Sequence, residues 1–147
     1  CPPEQLGWAM PAYVAETDEI ARKEAAPHIE SLFNKFIASP TQYKLPPGYS
    51  SLASYKAVIE GKYKVRQNYL DCDTLIDNGM FLCGSAETVA TKLEEYQKEM
   101  GFGNIAPMLQ FGTLSKELTE KNLRLFAEEV IPKLKHLGFG AEKVAAE

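Results

Sequence analysis

The stretch Met80-Phe81-Leu82-Cys83-Gly84-Ser85-Ala86-Glu87-Thr88-Val89-Ala90 decides the fold class. A short apolar run ends at two small residues, and the hydrophobic period then changes from that of a strand to that of a helix. Ser85 stands as N-cap, Glu87 lies in the first turn, and Val89, Ala90, Leu93, Tyr96 and Met100 recur at three- and four-residue spacing until Gly101 stops the helix. A strand that feeds directly into an amphipathic helix is half of a parallel βαβ unit.

The same pattern recurs on either side. Upstream, Ala9 to Ala15 is apolar and partly β-branched or aromatic, and Thr17-Asp18-Glu19 follows as a cap with acids in the first turn. Ile20, Ala21, Ala25, Ile29, Leu32, Phe33, Phe36 and Ile37 then share one helix face, with a kink expected at Lys23 to Ala26 because Pro27 lacks an amide hydrogen. Downstream, Asn104 to Phe111 is apolar without alternation, which reads as a strand buried on both faces. Ser115 caps a long helix with a stripe of Leu123, Phe126, Ala127, Val130, Leu134 and Leu137, kinked at Pro132, and residues 138–147 read as a flexible tail. Between the first two units, residues 39–79 form an insertion punctuated by Pro40, Pro46-Pro47-Gly48 and Gly61, with helical fragments at 52–59 and 74–76. Three strand-helix units predict an α/β fold with a parallel sheet, and three short strands are too few for helices this long, so the chain reads as part of a larger sheet or barrel.

Composition narrows the function. The 147 residues are 45% hydrophobic and 24% charged, and 16 Lys and Arg against 20 Asp and Glu give a net charge of -4. That balance disfavours nucleic acid, and the tract Lys62-Tyr63-Lys64-Val65-Arg66 on such a chain reads as a solvated loop. No apolar run approaches the roughly 18 to 20 residues of a membrane helix, and the N-terminus lacks a signal-peptide layout, so no membrane and a cytoplasmic location are expected. The chain begins with Cys1 rather than Met, as a processed chain or one that starts partway through a longer protein would. Cys1, Cys72 and Cys83 form no CxxC pair and read as structural thiols, while His28 and His136 have no partners at metal-ligand spacing, so no metal is expected.

Two glycine motifs remain. Gly101-Phe102-Gly103-Asn104-Ile105-Ala106 fits G-x-G-x-x-A but ends a helix and enters a strand, the reverse of what a dinucleotide requires. Gly84 and Ser85 have the right context for an anion, following a strand and opening a helix, and are the candidate cofactor-binding residues. The alternative is that Ser85 only caps its own helix; Glu87 beside it would repel a phosphate, and no basic side chain is evident nearby. No complete catalytic constellation is present, and Asp71 and Asp73 around Cys72 read as a loop leading into a short helix.

Phe81 to Ala90, Gly101-Phe102, Phe111-Gly112 and Leu125-Phe126-Ala127-Glu128-Glu129-Val130-Ile131-Pro132, with Tyr13-Val14-Ala15-Glu16-Thr17-Asp18 and Pro46-Pro47-Gly48-Tyr49 upstream, together resemble the C-terminal part of bacterial luciferase-like flavin-dependent monooxygenases. The resemblance implies that residues 1–147 are a partial barrel domain, the last three units of a (β/α)8 TIM-type barrel, with the insertion before the penultimate strand. It further implies reduced FMN supplied by a flavin reductase, oxygenation of a small organic substrate by O2, and a homo-oligomer at full length. An F420-dependent oxidoreductase of the same fold, or a non-catalytic half-barrel assembly module, is the alternative. The family's catalytic histidine and most of its phosphate contacts fall on earlier strands, so no catalytic residue is carried over and this chain alone is expected to be inactive. Where the family usually has proline, this sequence has Ala86, which leaves the strand-to-helix turn less rigid.

Overall fold

In the computed structural model, which describes residues 2–38, 48, 51–59 and 69–137, the organising element is the strand β1, Gly7–Ala15. Every residue of β1 from Met10 to Ala15 is buried, so both of its faces are covered. Two further strands, β2 (Leu82–Ser85) and β3 (Asn104–Met108), run parallel to it in the order β2-β1-β3. Ala12 to Ala15 pair with Leu82 to Ser85, whereas Gly7 to Pro11 pair with Asn104 to Met108. The two partners therefore take opposite edges and opposite halves of β1. Consecutive barrel units would lie side by side in chain order, with β2 in the middle.

The helices follow from that order. The helix α1, Asp18–Ser31, leads from β1 to β2, and α4, Ala86–Met100, leads from β2 back past β1 to β3. Right-handed crossovers in opposite directions place their helices on opposite faces of a sheet. Side chains alternate along β1 accordingly. Tyr13 and Ala15 pack with Ala21, Ala25 and Ile29 of α1 and with Phe81, Cys83 and Phe111. Met10, Ala12 and Val14 pack with Val89, Ala90 and Leu93 of α4 and with Phe126 and Val130. Phe111 stands edge-on to both Tyr13 and Phe81, at centroid distances of 6.3 Å and 5.4 Å.

Local signals set the boundaries. Thr17, Ser85 and Ser115 cap α1, α4 and α5 (Lys116–Leu125) by accepting from the amides of Ile20, Thr88 and Leu118. Gly101, at φ 67°, ends α4 in the left-handed conformation. The insertion contributes α2 (Leu52–Ile59) and α3 (Cys72–Asp77), the latter longer than the fragment expected at 74–76; the Lys62 to Arg66 tract and the 138–147 tail lie outside the described residues. Helix α1 continues unbroken through Pro27 and widens only afterwards, into a π-helical turn at Leu32–Phe36. The last helix is not one rod: a π-helical turn at Phe126–Val130 separates α5 from α6 (Ile131–Leu134), which has Pro132 in its first turn, where no amide hydrogen is required. None of the described helices is long and apolar enough to cross a membrane.

Three expected features differ. β3 alternates exposed and half-buried residues instead of being covered on both faces, because it lies at the sheet edge; Pro107, which cannot donate to a neighbour, suits that place. Phe36, Ile37 and Met100, expected in the packed stripes, are exposed, since each helix runs past the sheet before reaching them. The stripe after Ser115 holds at Phe126 and Val130, but Leu123 and Ala127 are exposed, and Asn122 beside Leu123 is fully buried.

Asn122 compensates for the shortness of β3. Beyond Pro11 the edge of β1 has no strand partner on that side, and the Asn122 side chain takes its place. Its Oδ1 accepts from the Val14 amide at 2.9 Å, and its Nδ2 donates to the Ala12 carbonyl at 2.8 Å and the Leu109 carbonyl at 2.9 Å. After β3 the chain turns at Gly112, at φ 56°, where a Cβ would overlap the carbonyl oxygen of His28 in α1. Asn122→Ala leaves two buried backbone groups and the half-buried Leu109 carbonyl without this partner, and we expect it to cost about 2 to 4 kcal/mol. Asn122→Asp should cost at least as much, because a carboxylate cannot donate to the two carbonyls. Urea unfolding of both variants checks this, and a change within about 0.5 kcal/mol for Asn122→Ala would remove the role.

Candidate functional site

Because β1 and β2 end in register, with Ala15 opposite Ser85, the N-termini of α1 and α4 emerge side by side at the carboxyl edge of the sheet. Ligands of open parallel sheets bind at that edge. Here the chain fills the position itself. Asp18 Oδ1 accepts from the Ser85 amide at 2.6 Å, and Oδ2 accepts from the Thr88 hydroxyl at 3.1 Å. Ser85 Oγ donates to Thr88 Oγ1 at 3.1 Å and accepts from the Thr88 amide at 3.3 Å. Gly84 makes the approach possible, since a Cβ there would stand 2.7 Å from Asp18 Oδ1 and 2.9 Å from a Thr88 methyl.

Gly84 and Ser85, the expected anion-binding pair, thus hold an anion of the chain's own. A phosphate arriving there would have to displace the Asp18 carboxylate or meet its negative charge. The hydrogen bond from the Ser85 amide, foremost, holds the Asp18 carboxyl below the usual carboxylate range, and Arg22 one turn along α1 adds to the effect. Arg22 is the basic side chain near this position that the sequence did not bring into view; its guanidinium also stands 3.7 Å from Asp73. Asp18 has one sequence signal, as an acid in the first turn of a helix directly after a strand, but its partner is 67 residues away.

A second polar cluster lies between α1 and α5. The buried Tyr13 hydroxyl donates to Glu24 Oε2 at 2.8 Å. Lys121 Nζ donates to both Glu24 oxygens at 3.0 Å and 2.9 Å and pairs with Glu16 at 2.8 Å. Burial, followed by the Glu24 hydrogen bond, pushes the Tyr13 pKa far up and keeps its proton in place. The Lys121 hydrogen bond lowers Glu16; Lys121 itself is raised, because its two carboxylates outweigh the burial that opposes its charge. The cluster locks charges against one another and ties β1, α1 and α5 together. His28 Nδ1 meets Thr113 Oγ1 at 2.8 Å, and His136 lies 3.1 Å from Glu94. No group of three potential metal ligands occurs among the described residues.

No protein-family model matches the chain, and no curated protein does. Among solved structures it is similar to a type II Baeyer-Villiger monooxygenase, the oxygenating constituent of 3,6-diketocamphane monooxygenase from the CAM plasmid of Pseudomonas putida, in complex with FMN. The TM-score is 0.50 at 20% sequence identity, over 86% of this chain and 33% of that one. At that identity the likeness is one of fold, and this chain spans about a third of the length of the relative.

The Asp18 contact has a pH signature. Its pKa is lower in the folded chain than in the unfolded one, so its stabilisation is complete above the unfolded value of about 3.9 and is lost as pH falls through the folded value. Asp18→Asn should cost about 1 kcal/mol at neutral pH, and the gap to the unaltered chain should close below about pH 4. Urea unfolding across that range measures it; a gap independent of pH would mean that the carboxylate charge contributes nothing.

Proposed function

We propose that this chain is part of a flavin-dependent monooxygenase that oxygenates a small organic substrate with reduced FMN and O2, the flavin being reduced by a separate reductase. What supports the reading is the likeness of fold, over 86% of the chain, to an oxygenating constituent in complex with FMN. The ordered motifs from Tyr13 to Pro132 point the same way. FMN in that relative favours FMN over F420 here. In this reading residues 1–147 are the closing part of a (β/α)8 barrel domain with 39–79 as an insertion, and the whole protein is a cytoplasmic homo-oligomer.

Bound flavin supplies the electrons that activate oxygen. This chain's own residues shape one rim of the site: Asp18 fastens the start of α1 to α4, and Lys121 with Glu16 and Glu24 fastens α5 to α1. With the Ser85 amide engaged by Asp18, the flavin phosphate is held by another part of the barrel. The 147-residue chain alone should therefore bind FMN no more tightly than about 0.1 mM, and it should gain micromolar binding and oxygen-dependent turnover only when joined to the rest of a barrel. Flavin fluorescence titration tests both. Micromolar binding by this chain would put the phosphate site within it, and a completed barrel that binds no flavin would favour the non-catalytic assembly module.

The strand order offers a second test. A barrel of consecutive units sets β2 between β1 and β3, so barrel closure requires β3 to leave the edge of β1. Ala9 and Ala106 are exposed and opposite each other across that edge. The pair Ala9→Cys and Ala106→Cys should form a disulfide in the isolated chain and fail to form one in the completed protein. A disulfide that forms with flavin bound and turnover intact would overturn the barrel arrangement.

A further inference from the structure

Helices α1 and α4 cover opposite faces of the sheet, so a cavity walled by both lies at a sheet edge. One of about 280 Å³ is lined by Arg22 of α1, by Thr88, Val89, Lys92 and Tyr96 of α4, and by residues 81–83 between them. β2 is the edge strand on that side. Among the described residues, the backbone of Leu82 and Cys83 that faces away from β1 has no strand partner. The cavity thus occupies the angle between the two helices at the open edge of β2, and Ile76 and Asp77 at the end of α3 close one side of it.

Its walls are of two kinds. Phe81 and Val89 are buried and Ile76 is half-buried, which makes an apolar floor. Two cations from different helices share the same space. Arg22 Nε stands 3.7 Å from Asp73, a carboxylate 80% exposed, and no hydrogen bond to the guanidinium occurs among the described residues, so most of its donors are unspent. Lys92 Nζ meets Glu95 at 2.9 Å in a pair about half exposed on both sides, which exchanges for another anion at little cost. Neither Asp73 nor Glu95 lines the cavity; the exposed Asp77 is the carboxylate that does. Tyr96 adds a hydroxyl at the turn between α3 and β2, where a Cβ on Gly79 would stand 3.4 Å from its oxygen. The Thr88 hydroxyl is already given to Asp18. What is left to a ligand is a set of donors, two of them cationic, beside an apolar floor.

We propose that this cavity binds a small organic acid, its carboxylate on Arg22 and Lys92 with Tyr96 as a further donor, and its apolar body against Ile76, Phe81 and Val89. The volume is about nine times the roughly 30 Å³ that a water takes in the liquid, room for one aromatic ring with its carboxylate. An inorganic anion would leave the apolar floor unused, and a cation would be repelled by Arg22 and Lys92. In a barrel of consecutive units β3 takes the free edge of β2, so occupancy of the cavity and closure of such a barrel exclude each other. The site stands on the geometry of this chain and does not rest on the flavin reading.

The test is a titration of the 147-residue chain with benzoate, followed by the NMR shifts of its backbone amides. Saturable shifts centred on Arg22, Cys83, Thr88 and Lys92 are expected, with a Kd of about 1 mM. Benzamide, of the same shape without the charge, should bind at least about tenfold more weakly, and inorganic phosphate at the same concentration should not displace benzoate. Arg22→Gln and Lys92→Gln should each weaken binding about fivefold, and Asp77→Asn should strengthen it about twofold by removing a like charge. All three side chains are exposed, and the spread of the amide resonances reports whether each variant is folded. Should one not fold, the comparison of benzoate with benzamide on the unaltered chain decides alone. No saturation up to about 20 mM, shifts scattered over the surface, benzamide binding as tightly as benzoate, displacement by phosphate, or weaker binding in Asp77→Asn would each overturn the proposal.

Discussion

The constraint on which the sheet depends is that a five-residue strand cannot satisfy a nine-residue neighbour. β3 leaves β1 at Pro11, and from there buried amides and carbonyls face an edge with neither water nor strand. One carboxamide supplies two donated bonds and one accepted bond in the geometry of a ladder, and does so from a helix. Asn122 therefore sets where α5 docks, and through α5 where Lys121 reaches Glu24 and Glu16. A leucine, with the same branching, would leave the backbone unsatisfied.

With that edge closed, β1 serves two cores at once. Tyr13 and Ala15 belong to the α1 side and Met10, Ala12 and Val14 to the α4 side, so the strand that reads as a continuous apolar run serves both cores, as β2 does with Cys83 and Leu82. In two clusters, at the carboxyl edge and at the seam between α1 and α5, polar side chains engage one another across elements. Asp18, Glu24 and Lys121 accordingly fasten elements together rather than point into open space.

What was legible in the sequence was local. Thr17, Ser85 and Ser115 as caps, Gly101 as a stop, and the change of period after Ser85 gave the elements within a few residues, because caps and periods are set by neighbours in the chain. The parallel character of the strands followed from the helical connections. Their order did not, since right-handed crossovers permit β3 on either side of the pair. Leu123 reads as buried because apolar residues mark a buried face in the ordinary case, and only the missing stretch of β3 explains a buried amide at Asn122. The partner of Ser85 lies on a chain segment 67 residues away, so no spacing announced it.

Gly112 shows how tightly the turn after β3 is pressed against α1. Every nucleotide change that converts a glycine codon to another amino acid adds a Cβ, and here that carbon would collide with the main chain at His28, not with a side chain that could swing aside. Residue 112 is thus closed to single-step genetic drift however many substitutions collect on the exposed faces around it, and a gene that carries glycine there records the closeness of two backbones more durably than any contact between side chains.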